Sequence, residues 1–153
     1  MHLDDRDLTL LELLQQDCRM SNADLAERAG LSASSCWRRI RALEESGLIR
    51  RYGAQLALEK LGLGFHAIVH VQLTRHDPEK LKDFIRVIGE RREVLECYAT
   101  TGQADYHLRV LVEDIAAHNR FLEEVLFRIE AVAGAQTNVI LKEVKRADLV
   151  ALR

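Results

Sequence analysis

Ser32-Ala33-Ser34-Ser35-Cys36-Trp37-Arg38-Arg39-Ile40-Arg41-Ala42-Leu43 carries more information than any other part of this 153-residue chain. Wound at about 100° per residue, it puts Ala33, Cys36, Ile40 and Leu43 on one face. Ser34, Ser35, Arg38 and Arg41 gather on the other, with Arg39 to its side. Such a helix offers small hydroxyl donors in its first turn and guanidinium groups beyond, which suits entry into a major groove to meet bases and phosphates. Ser32 is placed to cap the helix, which should run to about Ser46 and close at Gly47. Upstream, Ser21-Asn22-Ala23-Asp24 has the Ser-x-x-Asp form related to a capping box, and Leu25, Ala26 and Ala29 lead to Gly30, giving a helix of about two turns. Before it, Leu8, Leu11 and Leu14 recur at helical spacing behind Asp4, Asp5 and Asp7, acids that favour a helix N-terminus; that helix should end near Asp17. Two helices joined by a short turn containing Gly form a helix-turn-helix arrangement.

Charge supports this reading locally rather than globally. Arg38, Arg39, Arg41, Arg50 and Arg51 stand against Glu44 and Glu45 within residues 36–51, in a chain whose formal net charge is -2. The overall balance alone gives no reason to expect nucleic acid. With 48% hydrophobic and 30% charged residues, the composition is globular and excludes a disordered or fibrous chain. No apolar run approaches the roughly 18 residues that span a bilayer, and the N-terminus is acidic where a signal peptide would be basic, so a soluble cytoplasmic protein is expected. Cys18, Cys36 and Cys97 are odd in number and scattered, which favours neither a disulfide framework nor a zinc site; buried free thiols are expected. Cys36 reads as a small buried hydrophobe, and Trp37, at the border of the apolar face, as packing between helices.

The period changes at Leu48. Tyr52 to Leu58 reads as an extended segment and Lys60 to Gly64 as a connector, giving a helix-turn-helix domain over 1–57, a linker over 58–64 and a second domain over 65–153. There the expected elements are strands at about 65–74, 94–100, 105–112 and 137–144, with helices at about 78–88 and 115–129. The order is β-α-β-β-α-β, the ferredoxin-like arrangement. His66 and His70 share a strand face, with His76 beyond, but residues four apart on a strand lie about 13 Å from one another, too far to ligate one ion. His107 and His118 have no companion visible by sequence, and no metal site is expected. No nucleophile elbow, P-loop, His-Glu-x-x-His or Rossmann fingerprint occurs, so neither catalytic residues nor a cofactor are expected. At the turn Thr101-Gly102-Gln103-Ala104-Asp105-Tyr106, Gly102 would let backbone N–H groups approach a carboxylate while Asp105 accepts from an α-ammonium. A β-turn whose Asp satisfies its own backbone fits the same residues.

The block Leu25-Ala26 … Gly30-Leu31-Ser32 … Arg39-Ile40 … Leu43-Glu44-Glu45-Ser46-Gly47-Leu48-Ile49 … Tyr52 resembles the DNA-binding half of the Lrp/AsnC, or feast/famine, transcriptional regulators. Ser35-Cys36-Trp37-Arg38-Arg39 is similar to the branch around the leucine-responsive and cysteine-responsive regulators. Thr101 to Tyr106 and Leu141-Lys142-Glu143-Val144-Lys145 are similar to that family's effector domain. The resemblance implies an α+β protein with an N-terminal winged helix-turn-helix domain and a ferredoxin-like effector and oligomerisation domain. It implies a homodimer assembling to an octamer that binds double-stranded DNA and responds to an amino acid. Ser34, Ser35, Arg38, Arg39, Arg41 and Arg50 are then the DNA-binding candidates; Thr101, Gly102, Asp105, Tyr106 and Thr137 are the effector-binding candidates. Ala104 stands where many relatives carry an aromatic residue and Ala135 where many carry a second Thr, differences that bear on pocket shape. The competing readings are an oligomeric amino-acid sensor whose N-terminal helices bind a protein partner, and an enzyme built on the ferredoxin-like half.

Overall fold

The computed structural model describes residues 2–74, 77–145 and 150–152. It divides into two compact units, Met1–Gln55 with Val144–Arg153, and Leu56–Glu143.

In the first unit, α1 (Asp5–Gln16) starts at a reciprocal capping box built from two aspartates. The Asp7 N–H donates to Asp4 Oδ1 at 2.9 Å and the Asp4 N–H donates to Asp7 Oδ2 at 3.1 Å, so two donors that the helix itself cannot pair are satisfied. Ser21 caps α2 (Asn22–Arg28) by accepting from the Asp24 N–H, and its hydroxyl donates to the Asp24 carboxylate at 2.6 Å. Past α2, Gly30 takes φ 62° while the Leu31 N–H reaches the Ala26 carbonyl and the Gly30 N–H the Glu27 carbonyl. This is a Schellman ending, and its left-handed residue turns the chain sharply into α3 (Ala33–Glu45), capped by Ser32. Asn22 Nδ2 donates to the Ala33 carbonyl at 2.9 Å, tying the start of α2 to the start of α3. The core is small: Leu10 from α1, Leu25, Ala26 and Ala29 around α2, and Cys36 from α3. Ala33, expected on the inner face, is exposed because the first turn of α3 projects past this core.

The C-terminal residues, expected with the second domain, cluster with the first unit. Val150 donates its N–H to Gln15 Oε1 at 2.8 Å and accepts from Gln15 Nε2 at 3.2 Å, a two-point hold on the backbone. Val150 and Leu152 share a cavity of about 1220 Å³ with Leu11, Leu14 and Leu48. Between 51 and 57 no ladder forms, and Leu58–Leu61, expected as linker, winds into one 3-10 turn closed by Gly62 at φ 77°.

The second unit is a four-stranded antiparallel sheet in the order β2-β3-β1-β4, with β1 Phe65–Leu73, β2 Val94–Ala99, β3 Tyr106–Val112 and β4 Val132–Val139. Helices α4 (Pro78–Gly89) and α5 (Ile115–Glu124) cover one face. Alternation selects the inward set: Val69 and Val71 on β1 and Leu108, Val110 and Val112 on β3 meet Phe84 and Ile88 from α4 and Phe121 from α5. Pro78 opens α4, where its missing N–H costs nothing, beside the Asp77 cap.

Two boundaries differ from expectation. α5 stops at Glu124, and Leu126–Arg128 continues as a 3-10 turn, so the apolar periodicity that suggested a helix to Ile129 is met by Leu126 and Ile129 buried outside the α-helix. β4 begins five residues before the expected 137. Val-Ala-Gly-Ala-Gln-Thr-Asn-Val has few large apolar residues because it is an edge strand with one uncovered face. Leu141 and Val144, which drew the expected strand outward, are 95% and 88% exposed.

Candidate DNA-binding and effector sites

On α3, Ser34, Arg38 and Arg41 are exposed together, Ser35 is half-buried, and Arg50 is exposed beyond the helix. Arg41 lies 3.5 Å from Glu44 and its guanidinium carbon 5.8 Å from the centre of the Trp37 ring. Trp37 itself is 58% exposed and does not pack between helices. Cys36, Ile40 and Leu43 fill the inner strip, and α2 offers only Leu25, Ala26 and Ala29 against it, too little surface to cover an indole. Glu44 is also engaged from behind: the Tyr52 hydroxyl donates to it at 2.9 Å, and burial, with that carboxylate, pushes the Tyr52 phenol up to about 12.

Arg39 turns the other way. Its Nη1 lies 2.7 Å from Asp7 Oδ1 and 2.8 Å from Asp4 Oδ2, so the capping box of α1 also clasps α3. The Asp7 N–H, and then Arg39, hold the Asp4 carboxyl below its ordinary range. The clasp fixes the angle at which the Ser34-Arg38-Arg41 face is presented.

At the β2–β3 turn, Gly102 has φ 127°, a backbone state that side chains rarely adopt. Asp105 ends β1 by accepting the Leu73 N–H on Oδ2 at 2.7 Å, while its own N–H donates to the Val71 carbonyl. Gln72 Nε2 donates to the Gln103 carbonyl at 3.2 Å. Thr101, Gly102 and Asp105 are exposed, and Tyr106 is half-buried with its ring 4.9 Å from Phe84. The turn therefore carries four of the five effector candidates. Thr137 is elsewhere: it pairs with Val69 on β4, on the helix-covered face, and its hydroxyl is 3.1 Å from Nε2 of His118.

His118 is buried, stacked 5.0 Å from Phe65, and burial lowers its pKa below the ordinary 6.5. The unfolded chain therefore binds this proton more readily than the native one, and stability is full above about 6.5 and falls as pH drops toward the native value. We expect the thermal midpoint of the second unit to decrease between pH 7 and pH 5, and His118→Phe to flatten that dependence; an unchanged slope in scanning calorimetry would exclude the coupling.

Two other histidines, His70 and His107, pair across strands. His70 Nδ1 and His107 Nδ1 lie 2.7 Å apart on the face away from the helices, and Asn138 Nδ2 is 3.1 Å from His70 Nε2. His107 thus has a companion, which only the β1–β3 register reveals. His76 lies outside the described residues. Among the described residues no group of three or more His, Cys, Asp or Glu is placed to hold a metal ion, and no helix is long and apolar enough to cross a membrane. Cys36 is buried as expected, whereas Cys18, beyond the end of α1, and Cys97, on the edge strand β2, are exposed.

Residues 3–50 match the family described as winged helix-turn-helix DNA-binding, and residues 66–150 match the Lrp/AsnC ligand binding domain. The chain is 34% identical over 150 residues to the glutamate uptake regulatory protein of Zymomonas mobilis, covering 98% of this chain and 91% of that protein. It is 34% identical over 151 residues to the leucine-responsive regulatory protein of Escherichia coli, covering 99% and 92%. A crystal structure of a transcriptional regulator from Neisseria meningitidis in complex with L-Met superposes with a TM-score of 0.94 at 35% identity, covering 99% of this chain and 97% of that one. The two matched domains lie in the order in which the residues place a helix-turn-helix and a ferredoxin-like sheet, and the chain belongs to the Lrp/AsnC family of transcriptional regulators, DNA-binding proteins rather than enzymes.

Proposed function

We propose that this regulator reads double-stranded DNA in the cytoplasm with the exposed face of α3, and that an amino acid held at the β2–β3 turn adjusts its binding. The observation that carries the first part is the presence of Ser34, Arg38 and Arg41 on one exposed helix face behind a serine cap. Ser34 and Ser35 reach the DNA at the helix N-terminus, Arg38 and Arg41 meet bases or phosphates, and Arg50 meets the backbone. Arg39 acts as a positioning residue through Asp4 and Asp7. A homodimer would set two such helices in successive major grooves about 34 Å apart on a roughly palindromic site. The uncovered sheet face, with Ile68 and Tyr98 exposed on it, supports that pairing, and dimers would assemble further into an octamer.

The names of relatives that respond to leucine or govern glutamate uptake, and the neighbour solved with L-Met, support an amino-acid effector. At the turn, the oxygen of Asp105 not given to Leu73 is available to an α-ammonium, and the backbone beside Gly102 to a carboxylate. Thr101 and Tyr106 flank that space, and Thr137 acts from β4 by supporting the sheet.

The test is a thermal-shift screen of the twenty amino acids followed by calorimetry, since a ligand of the folded state raises its stability by mass action. Asp105→Asn keeps an acceptor for the Leu73 N–H but removes the charge. It should weaken the selected amino acid at least about tenfold, since charged hydrogen bonds contribute about 1.5–3 kcal/mol, with ligand-free DNA affinity unchanged. Undiminished ligand binding in this variant would dispose of the turn as the site.

A further inference from the structure

A cavity of about 440 Å³ opens in the second unit at the end of the sheet opposite the β2–β3 turn, where β3 hands over to α5 and the chain enters β2. That volume lies within the range of small-molecule sites, about 300–1,000 Å³. One wall is a single stripe of α5: Ala117, Arg120, Phe121 and Glu124 fall at the i, i+3, i+4 and i+7 spacing of one helix face. The other is the start of β2. The register slips between Val94 and Glu96, and the extra residue, Leu95, lines the cavity.

The charges around this floor differ from those elsewhere on the unit. On α4, Lys82 is paired with Glu79 and Arg86 with Asp83, and at the cavity Arg91 is paired with Glu93. Arg92, Arg120, Glu113 and Glu124 also line the cavity, and among the described residues the side chain of none of them makes a hydrogen bond or ion pair. Two unpaired guanidinium groups and two unpaired carboxylates thus ring an apolar floor of Leu95 and Phe121. A small zwitterion with an apolar chain matches all three features at once: its carboxylate on the guanidinium groups, its ammonium on the carboxylates, its side chain on the floor.

We propose that this cavity is a second binding site, for an aliphatic α-amino acid, separate from the β2–β3 turn. It stands whether or not the turn binds an effector. Calorimetry on the full chain with L-leucine and L-methionine tests it, with L-leucinamide, which lacks the carboxylate, and 4-methylpentanoate, which lacks the ammonium, as controls. Arg92→Gln with Arg120→Gln should weaken the amino acids at this site at least about tenfold, and Ala117→Phe, which fills the cavity, should do the same. Asp105→Asn should leave this class of sites intact, and each control compound should bind at least about tenfold more weakly than L-leucine. The proposal is overturned if neither amino acid binds the native chain, if the double arginine variant binds both with native affinity and stoichiometry, or if Asp105→Asn removes all binding. Circular dichroism of the variants, unchanged from native, ties a loss of binding to the cavity; a loss shared by Asp105→Asn alone counts against the cavity and for the turn.

Discussion

Arg38→Ala combined with Arg41→Ala is expected to abolish specific DNA binding at concentrations where the native chain saturates its site. Each arginine that reads a base contributes about 1–3 kcal/mol of discrimination, so a DNA-binding head loses about 2–6 kcal/mol. A dimer loses this twice. If the same groups neutralise phosphates instead, affinity falls for all sequences alike and the slope of log K against log salt flattens by about 0.9 for each lost contact. Fluorescence anisotropy at several salt concentrations, with a promoter fragment and a scrambled one, separates these cases. Arg41 is already shared between Glu44 and the Trp37 ring, so its release onto DNA costs something and Arg38 should be the larger single effect. Native affinity in the double variant would remove α3 from the recognition role.

The second large effect is on stability. Phe84 is fully buried where α4 meets β1 and β3, and its ring lies 4.9 Å from that of Tyr106. Truncation to Ala removes the ring's burial and leaves a cavity, at a cost of about 3–5 kcal/mol, a large part of the roughly 5–15 kcal/mol that holds a domain folded. Because the chain has two compact units, a single unfolding free energy is the wrong readout. Hydrogen exchange resolves them: Phe84→Ala should lower protection across β1 and β3 by about a hundredfold or more while α1 and α3 keep theirs. Equal losses in both units would mean that they unfold as one, and loss of less than about tenfold would mean that the site collapses around the missing ring. Tyr106 begins β3 directly after the β2–β3 turn, so if that turn holds the effector as proposed, the same variant should also weaken its binding.

The helices of the first unit were legible because their ends are written locally: Ser21 and Ser32 as caps, Gly30 and Gly47 as stops. The succession of strands and helices in the second unit was legible from the change of period after Leu48. What was not legible depended on partners distant in sequence. Arg39 reads as one more basic residue on α3 until Asp4 and Asp7 are found beside it. His107 reads as isolated until the register sets it against His70. β4 is displaced because an edge strand with one uncovered face needs few large apolar residues, whereas Ile140 and Leu141 imitate one. Trp37 is exposed because burial depends on the area the neighbouring helix offers, which composition does not reveal. Of the candidate effector residues, those in the turn are sequence neighbours and come together trivially. Thr137, carried by resemblance alone, faces His118 instead. Arg92 and Arg120 lack any local motif, since a cavity wall assembled from a bulge and a helix stripe has no signature in one dimension.

The hold of Gln15 on Val150 has a topological consequence. Because the chain's last residues belong with its first, the ferredoxin-like unit is an insertion, and the polypeptide crosses between units twice, near 55 and near 143. A single proteolytic nick near 55 therefore leaves α1, α2 and α3 attached to the rest of the chain only by their packing against the C-terminal residues, the Gln15–Val150 hydrogen bonds included. A label fused at the C-terminus reports on the DNA-reading unit rather than on the sensing unit. A truncation designed to trim the sensor's tail instead exposes Leu11, Leu14 and Leu48 beside α1.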